Sequence, residues 1–163
     1  MIKFTCEKAL LNSAITTVSR AVPAKSAISS LEGILIEAGT QLSLTGYNLE
    51  LGINTLISAS VEKIGSLVFP AKLFGDIIRL MPDDIISVTS DEKNIVTIEC
   101  GDIKYNIVGT AADEYPAMPS INEDKILHIE QTKLASMIRE TIFAVSESDV
   151  RPIHTGSKFD IQG

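Results

Sequence analysis

Apolar residues recur along this chain with two different periods, and the switches between them divide it into elements. Residues 2–6 (Ile-Lys-Phe-Thr-Cys) alternate apolar and polar, the period of a half-buried strand. Over residues 8–22 the spacing becomes three and four. Leu10, Leu11, Ala14, Ile15, Val18, Ala21 and Val22 then form one stripe of a helix, which Pro23 ends. Residues 24–30 (Ala-Lys-Ser-Ala-Ile-Ser-Ser) form a small polar loop. Runs rich in Ile, Leu and Val predict strands at 32–38, 41–46, 49–57 and 60–69. Leu42, Leu44, Leu49, Leu51 and Ile53 are expected on their buried face, with turns at Gly39-Thr40 and Gly46-Tyr47-Asn48. A second helix is predicted over 71–81, with Leu73, Phe74, Ile77, Ile78 and Met81 inward and Pro82-Asp83-Asp84 as its stop. Strands at 85–90, 94–100 and 103–109 follow, joined by the turns Asp91-Glu92-Lys93-Asn94 and Cys100-Gly101-Asp102, and such short connections make antiparallel neighbours. Residues 110–124 carry no periodicity and read as a linker stiffened by Pro116 and Pro119, with Tyr115 packing down to anchor it.

The order of strand, helix, four strands, helix and three strands predicts an α+β domain. Both helices must lie on one side of antiparallel sheets, since nothing else is available to bury the sheets' apolar face. The pattern then starts again. Phe4, Cys6, Leu11, Ile15, Ala21, Val22 and Gly33 correspond to Leu127, Ile129, Leu134, Ile138, Ala144, Val145 and Gly156 at a constant offset of 123. The repeat predicts a strand at 126–130, a helix at 132–145, a loop at 146–151 and a strand at 152–162. One full unit, residues 1–120, is thus followed by the first third of another, residues 121–163.

Composition changes this picture little. At 163 residues, 45% of them apolar, the chain can bury a core, and no apolar run reaches the length of a membrane span. The N-terminus lacks the basic, apolar and small-residue succession of a signal peptide, so a cytoplasmic protein is expected, with Cys6 and Cys100 as buried free thiols. Charge matters more. A net charge of −7 argues against a simple nucleic-acid binder, but the charge is unevenly placed. The segments 7–25 and 71–81 hold Lys8, Arg20, Lys25, Lys72 and Arg79 against Glu7 and Asp76, a balance of +3 that leaves −10 elsewhere. Basic helices and acidic strands predict two faces of opposite sign.

No catalytic constellation can be assembled. The chain has no phosphate loop, dinucleotide glycine motif, nucleophile elbow or Cys-x-x-Cys pair. A zinc site from His128, His154, Cys6 and Cys100 would need distant strands to converge, so no metal and no cofactor are expected. Asp83-Asp84 and Asp91-Glu92 read as a helix stop and a hairpin tip, and Glu32, Glu37 and Glu50 as solvent-facing strand positions. Arg20 and Arg79 lie near helix ends, where a cation also complements the helix dipole. Lys25 lies in the polar loop, where it can reach a polyanion, and the repeat offset carries it onto Ser148. Lys72 lies in a first helical turn, the wrong end for dipole stabilisation.

These residues carry a resemblance. Lys3-Phe4-Thr5, Val18-Ser19-Arg20-Ala21-Val22 and Gly33-Ile34-Leu35-Ile36-Glu37 are similar in order and spacing to the bacterial sliding clamp family, the beta subunit of DNA polymerase III. So are Leu44-Thr45-Gly46-Tyr47-Asn48-Leu49-Glu50, Phe69-Pro70-Ala71-Lys72, Asp113-Glu114-Tyr115-Pro116 and Asp149-Val150-Arg151-Pro152-Ile153. The chain departs from the family at Asn48, where Asp is common, and at His154, Ser157 and Lys158, at strand positions that are commonly apolar.

The resemblance implies a DNA-clamp fold and a replication processivity factor without catalytic residues of its own. In that family three similar domains per protomer, and two protomers head to tail, close a ring around duplex DNA, with helices lining the hole. It implies sequence-independent phosphate contact by Lys25, Lys72 and the 148–153 loop, with Ser148, Arg151, Pro152 and Ile153, and the basic helical segments add Arg20 and Arg79 as further candidates. It implies a protomer interface at Lys104, Tyr105 and Ile107 on the last strand, with Ile78 on the neighbouring helix. Polymerase and clamp loader would bind through regions absent from this chain, which could not close a ring alone and would self-associate through its free edge. The alternative is a non-enzymatic protein-interaction module that binds no DNA, as the net acidity allows.

Overall fold

The computed structural model describes residues 1–119, 126–148 and 150–161. It divides into two compact units, Met1–Pro119 and Ser120–Gly163. In the first, β1 (Lys3–Glu7) leads directly into α1 (Lys8–Val18), which tightens into a 3-10 turn at Ser19–Ala21. A second 3-10 turn at Ser29–Glu32 precedes β2 (Gly33–Ala38), β3 (Leu42–Tyr47), β4 (Gly52–Ile57), β5 (Ser60–Lys63) and β6 (Gly65–Pro70). Then come α2 (Ala71–Leu80), β7 (Ile85–Ser90), β8 (Ile95–Cys100) and β9 (Ile103–Val108).

The strands form two antiparallel sheets, ordered β5-β1-β7-β8-β9 and β4-β3-β2-β6. One core joins them: Phe4, Ile86, Val88 and Ile98 from the first sheet meet Ile34, Ile36, Leu44 and Phe69 from the second. Leu11, Ile15 and Val18 of α1 and Phe74, Ile77 and Ile78 of α2 complete it. The helices touch each other, and each also packs on the second sheet. Their outer faces stay in solvent, so they form a surface layer rather than a buried one. Phe69 and Phe74 meet edge to face, ring centroids 4.8 Å apart, where β6 hands over to α2.

Several expectations need correction. The single strand at 60–69 is two strands in different sheets. Ile64, 76% exposed, marks the break, and β5 crosses to pair with β1 while β6 pairs with β2. Gly46 is not a turn residue but lies within β3, opposite Ile53. The turn is Asn48–Leu51 instead. Its Asn48 carboxamide oxygen accepts the N–H groups of Glu50 and Leu51, and Leu49 adopts φ 76°. Leu49 and Leu51 are therefore exposed, not core. Leu10 and Leu73 likewise lie on the outer faces of their helices. Tyr115 does anchor the segment after β9: it is buried, and its hydroxyl donates to the Thr45 carbonyl at 3.4 Å.

The second unit repeats the local structure of the first. α3 (Gln131–Thr141), the 3-10 turn Ile142–Ala144 and the turn Pro152–His154 stand 123 residues after α1, Ser19–Ala21 and the start of the Ser29–Glu32 turn. Even the N-caps agree, with ψ 133° at Glu7 and 134° at Glu130. The expected strands do not form: 126–130 and 155–161 carry no ladder, and 152–154 is helical. A strand exists only against a partner, and none is present among the unit's described residues. Residues 120–125, Asp149 and residue 162, which the linker, loop and strand expectations include, lie outside the described residues.

Candidate nucleic-acid interface

α1 reaches the surface because its polar positions, Ser13, Thr16 and Thr17, sit opposite the Leu11–Ala14–Ile15–Val18 stripe. Its tightened end places Arg20 outward, and the loop after Pro23 places Lys25 outward. α2 starts at Ala71 with Pro70 as its N-cap, so Lys72 projects from the first turn. A cleft of about 770 Å³ runs between the end of α1 and the start of α2, bordered by Ala24 and Glu32 on one rim and Lys72 and Asp76 on the other.

Among the described residues, Arg20, Lys25 and Lys72 have no carboxylate within ion-pair distance, while four other cations of this unit do. Lys3 pairs with Glu62 and Lys104 with Glu99 on the sheets, and Lys8 with Asp83 at the foot of α1. Arg79 is bonded to Asp76 at 2.9 Å on its own helix. Lys63 and Lys93, on strand and hairpin, are also without a carboxylate. Unneutralised cations thus lie on the helical layer at Arg20, Lys25 and Lys72 as well as on the sheet side at Lys63 and Lys93. A surface of this kind can meet a polyanion. No group of three metal-ligating side chains occurs among the described residues, nor any helix long and apolar enough to cross a membrane.

The other singled-out residues divide. Ser148, Arg151, Pro152 and Ile153 are exposed on the second unit, in a turn closed by the Ser146 N–H to the His154 carbonyl at 2.8 Å. Lys104 and Tyr105 are exposed on β9, one of the two edge strands of the first sheet. Ile78, 0% exposed, and Ile107, 5% exposed, lie in the hydrophobic core of this unit. Glu32 faces solvent, and its carboxylate also accepts the Ser26 N–H at 2.9 Å. No spacing signal announces such a bond, because it depends on how the loop folds back. Cys6 and Cys100 are buried thiols. Cys6 stands opposite Ile86, and β7 separates it from β8. Two strand spacings, roughly 10 Å, exclude a disulfide.

Helices layered on one side of two antiparallel sheets, with free cations on the open helical face, define a DNA-clamp fold. The family model for the DNA polymerase III beta subunit N-terminal domain matches residues 2–119. A beta sliding clamp of Synechococcus elongatus is 35% identical over 99% of this chain, and that of Bacillus subtilis is 32% identical over 99%. The chain spans 44% and 45% of the length of these relatives. Among solved structures, a DNA polymerase III beta subunit from Eubacterium rectale superposes with a TM-score of 0.92 at 32% identity, covering 96% of this chain and 43% of its own. The Bacillus subtilis sliding clamp superposes at 0.90 and 32%, covering 93% and 42%. The chain belongs to the DNA polymerase III beta subunit family, the bacterial sliding clamps.

Proposed function

We propose that residues 1–120 are the first domain of a replication clamp and residues 121–163 the opening of a second, in a protein that works in the cytoplasm. The complete ring encircles duplex DNA without reading its sequence and tethers a polymerase without catalysing a reaction. The observation that carries this reading is the set of unpaired cations, Arg20, Lys25 and Lys72, on the open helical face. A ring is retained by topology, so loose phosphate contacts suffice and permit sliding. Arg151 and Ser148 add to these contacts from the second unit, and Arg79 contributes despite Asp76, because an exposed pair is worth little. Lys104 and Tyr105, on the free β9 edge, are the surface offered to a second protomer.

The test is salt-dependent binding of a fluorescent duplex. Three phosphate contacts give a log–log slope of roughly −2.7, and Lys25→Glu with Lys72→Glu reduces its magnitude by about 1.8. Binding indifferent to both substitutions overturns the reading and favours a protein-interaction module, for which the net charge of −7 speaks. In a protein of the relatives' full length, retention on closed circles with loss from linear ends distinguishes a topological ring from ordinary binding.

A further inference from the structure

Glu32 stands where a carboxylate should weaken DNA binding. It borders the same cleft as Lys72 and adds negative charge to a face proposed to meet phosphates. It also makes a bond that the loop depends on. Its Oε1 accepts the N–H of Ser26, the residue directly after Lys25. Among the described residues, no other backbone group of residues 23–27 is hydrogen-bonded. Within the loop, the Ser26 hydroxyl oxygen accepts the Ile28 N–H at 3.1 Å, which folds the chain back on itself but ties it to nothing outside.

The other end of this bond is fixed. Glu32 closes the Ser29–Glu32 turn, in which Leu31 is fully buried and the Ser30 hydroxyl donates to the Glu114 carbonyl at 2.7 Å. Gly33, the next residue, lies so close to β6 that an added Cβ would stand 2.4 Å from Val68 Cγ1. The backbone that carries Glu32 is therefore set in the packed part of the domain, and its exposed side chain moors the loop carrying Lys25 by a charge-assisted bond.

We infer that Glu32 is a positioning residue that restrains the loop carrying Lys25, just beyond Ala24 at the cleft that Lys72 also borders, so that Lys25 is ready for a phosphate. This rests on the DNA-binding reading above. A lysine on an unmoored loop must be ordered at the moment of binding, and that cost is subtracted from affinity. Two effects of Glu32 thus have opposite sign: its charge repels DNA, while its bond prepares Lys25.

Two substitutions separate them. Glu32→Gln removes the charge and keeps an oxygen acceptor, whereas Glu32→Ala removes both. With the 163-residue chain and a labelled duplex at low salt, Glu32→Gln is expected to bind at least as tightly as the wild type. Glu32→Ala is expected to bind about threefold more weakly than Glu32→Gln, the size set by ordering one lysine on binding. In a Lys25→Ala background that threefold difference should vanish, which a merely structural role would not produce. Amide exchange at Ser26 should quicken in Glu32→Ala and be largely restored in Glu32→Gln. Equal affinity of the two Glu32 variants, or unchanged Ser26 exchange, overturns the inference. If Lys25→Ala alone leaves affinity unchanged, Lys25 is no phosphate contact and this inference fails, while the DNA reading itself falls only if the double substitution at Lys25 and Lys72 is also without effect.

Discussion

The end of α1 lies directly over Gly46 of the sheet beneath it, and Gly46→Ala tests the packing that holds the cationic layer in place. A Cβ built there lies 2.2 Å from the Val18 carbonyl oxygen, 3.0 Å from its carbon and 3.1 Å from Val22 Cγ2. A carbon–oxygen contact needs about 3.3 Å, so the end of α1 must withdraw by roughly 1 Å. A gap of that size forfeits a quarter to a half of the dispersion attraction across it. The groups affected are among the best buried in the domain, since Val18 has no exposed surface and Ala21 has almost none. Forced overpacking of this kind costs about 1–3 kcal/mol, and the obstacle here is backbone rather than a flexible side chain, so we expect about 3 kcal/mol. For a unit of this size that lowers Tm by roughly 10–15 °C. The chain has no tryptophan, so urea and thermal unfolding should be followed by far-UV circular dichroism. Gly75→Ala is the control. Its Cβ would meet Ile15 Cγ2 at 3.4 Å, an ordinary contact, and alanine in a helix interior gains up to about 1 kcal/mol over glycine. Stability of Gly46→Ala within about 0.5 kcal/mol of the wild type, the range of an inconsequential surface change, would refute the packing argument.

Ser90→Ala should destabilise by about 2 kcal/mol, because the buried Ser90 hydroxyl oxygen accepts the Ile2 N–H at 2.8 Å and its loss strands that donor in the core. The check is the urea midpoint together with faster amide exchange at Ile2. An unchanged midpoint would mean that another acceptor takes over. Stability should also fall at alkaline pH. Burial, with the charge of Glu7 adding to it, pushes the Cys6 thiol up to about 12 from 9.0. Burial pushes the Tyr115 phenol up to about 12 from 10.0, against a partly opposing hydrogen bond at the Tyr47 backbone. The folded state then keeps protons that the unfolded chain gives up. The contribution is whole below about pH 9 and is lost as pH rises toward 12, at up to about 1.4 kcal/mol per pH unit per group. In Cys6→Ala the decline should begin only near pH 10. An identical pH profile in the two proteins would count against burial of the thiol as the cause.

The candidate interface was partly legible before any coordinates. Arg20 and Lys72 follow from helix periodicity, which separates inward from outward positions, and Lys25 follows from its place in a polar loop; a cation at an outward position stays outward whatever lies beneath it. Which cations remain free of a partner could not be read. Lys8 finds Asp83 across 75 positions of sequence, and Lys3 finds Glu62 across the β1–β5 pairing. The burial of Ile78 and Ile107 could not be read for the same reason: it is set by what packs over them.

What the sequence alone determined is the structure made by near neighbours. α1 and α3 begin and end at equivalent residues, with the same tightened turn after each, although one packs on a sheet and the other shows no buried residue among those described. Their hydrogen bonds close within four residues, so the local sequence suffices. Tertiary structure decided everything that needs a distant partner. It sent residues 60–63 to one sheet and 65–70 to another, left 126–130 without a ladder, and turned Gly46 from an apparent turn into the point where a helix rests on a strand. A strand's bonds and a glycine's clearance belong to the element alongside, and that element is chosen by the fold rather than by the residues next in the chain.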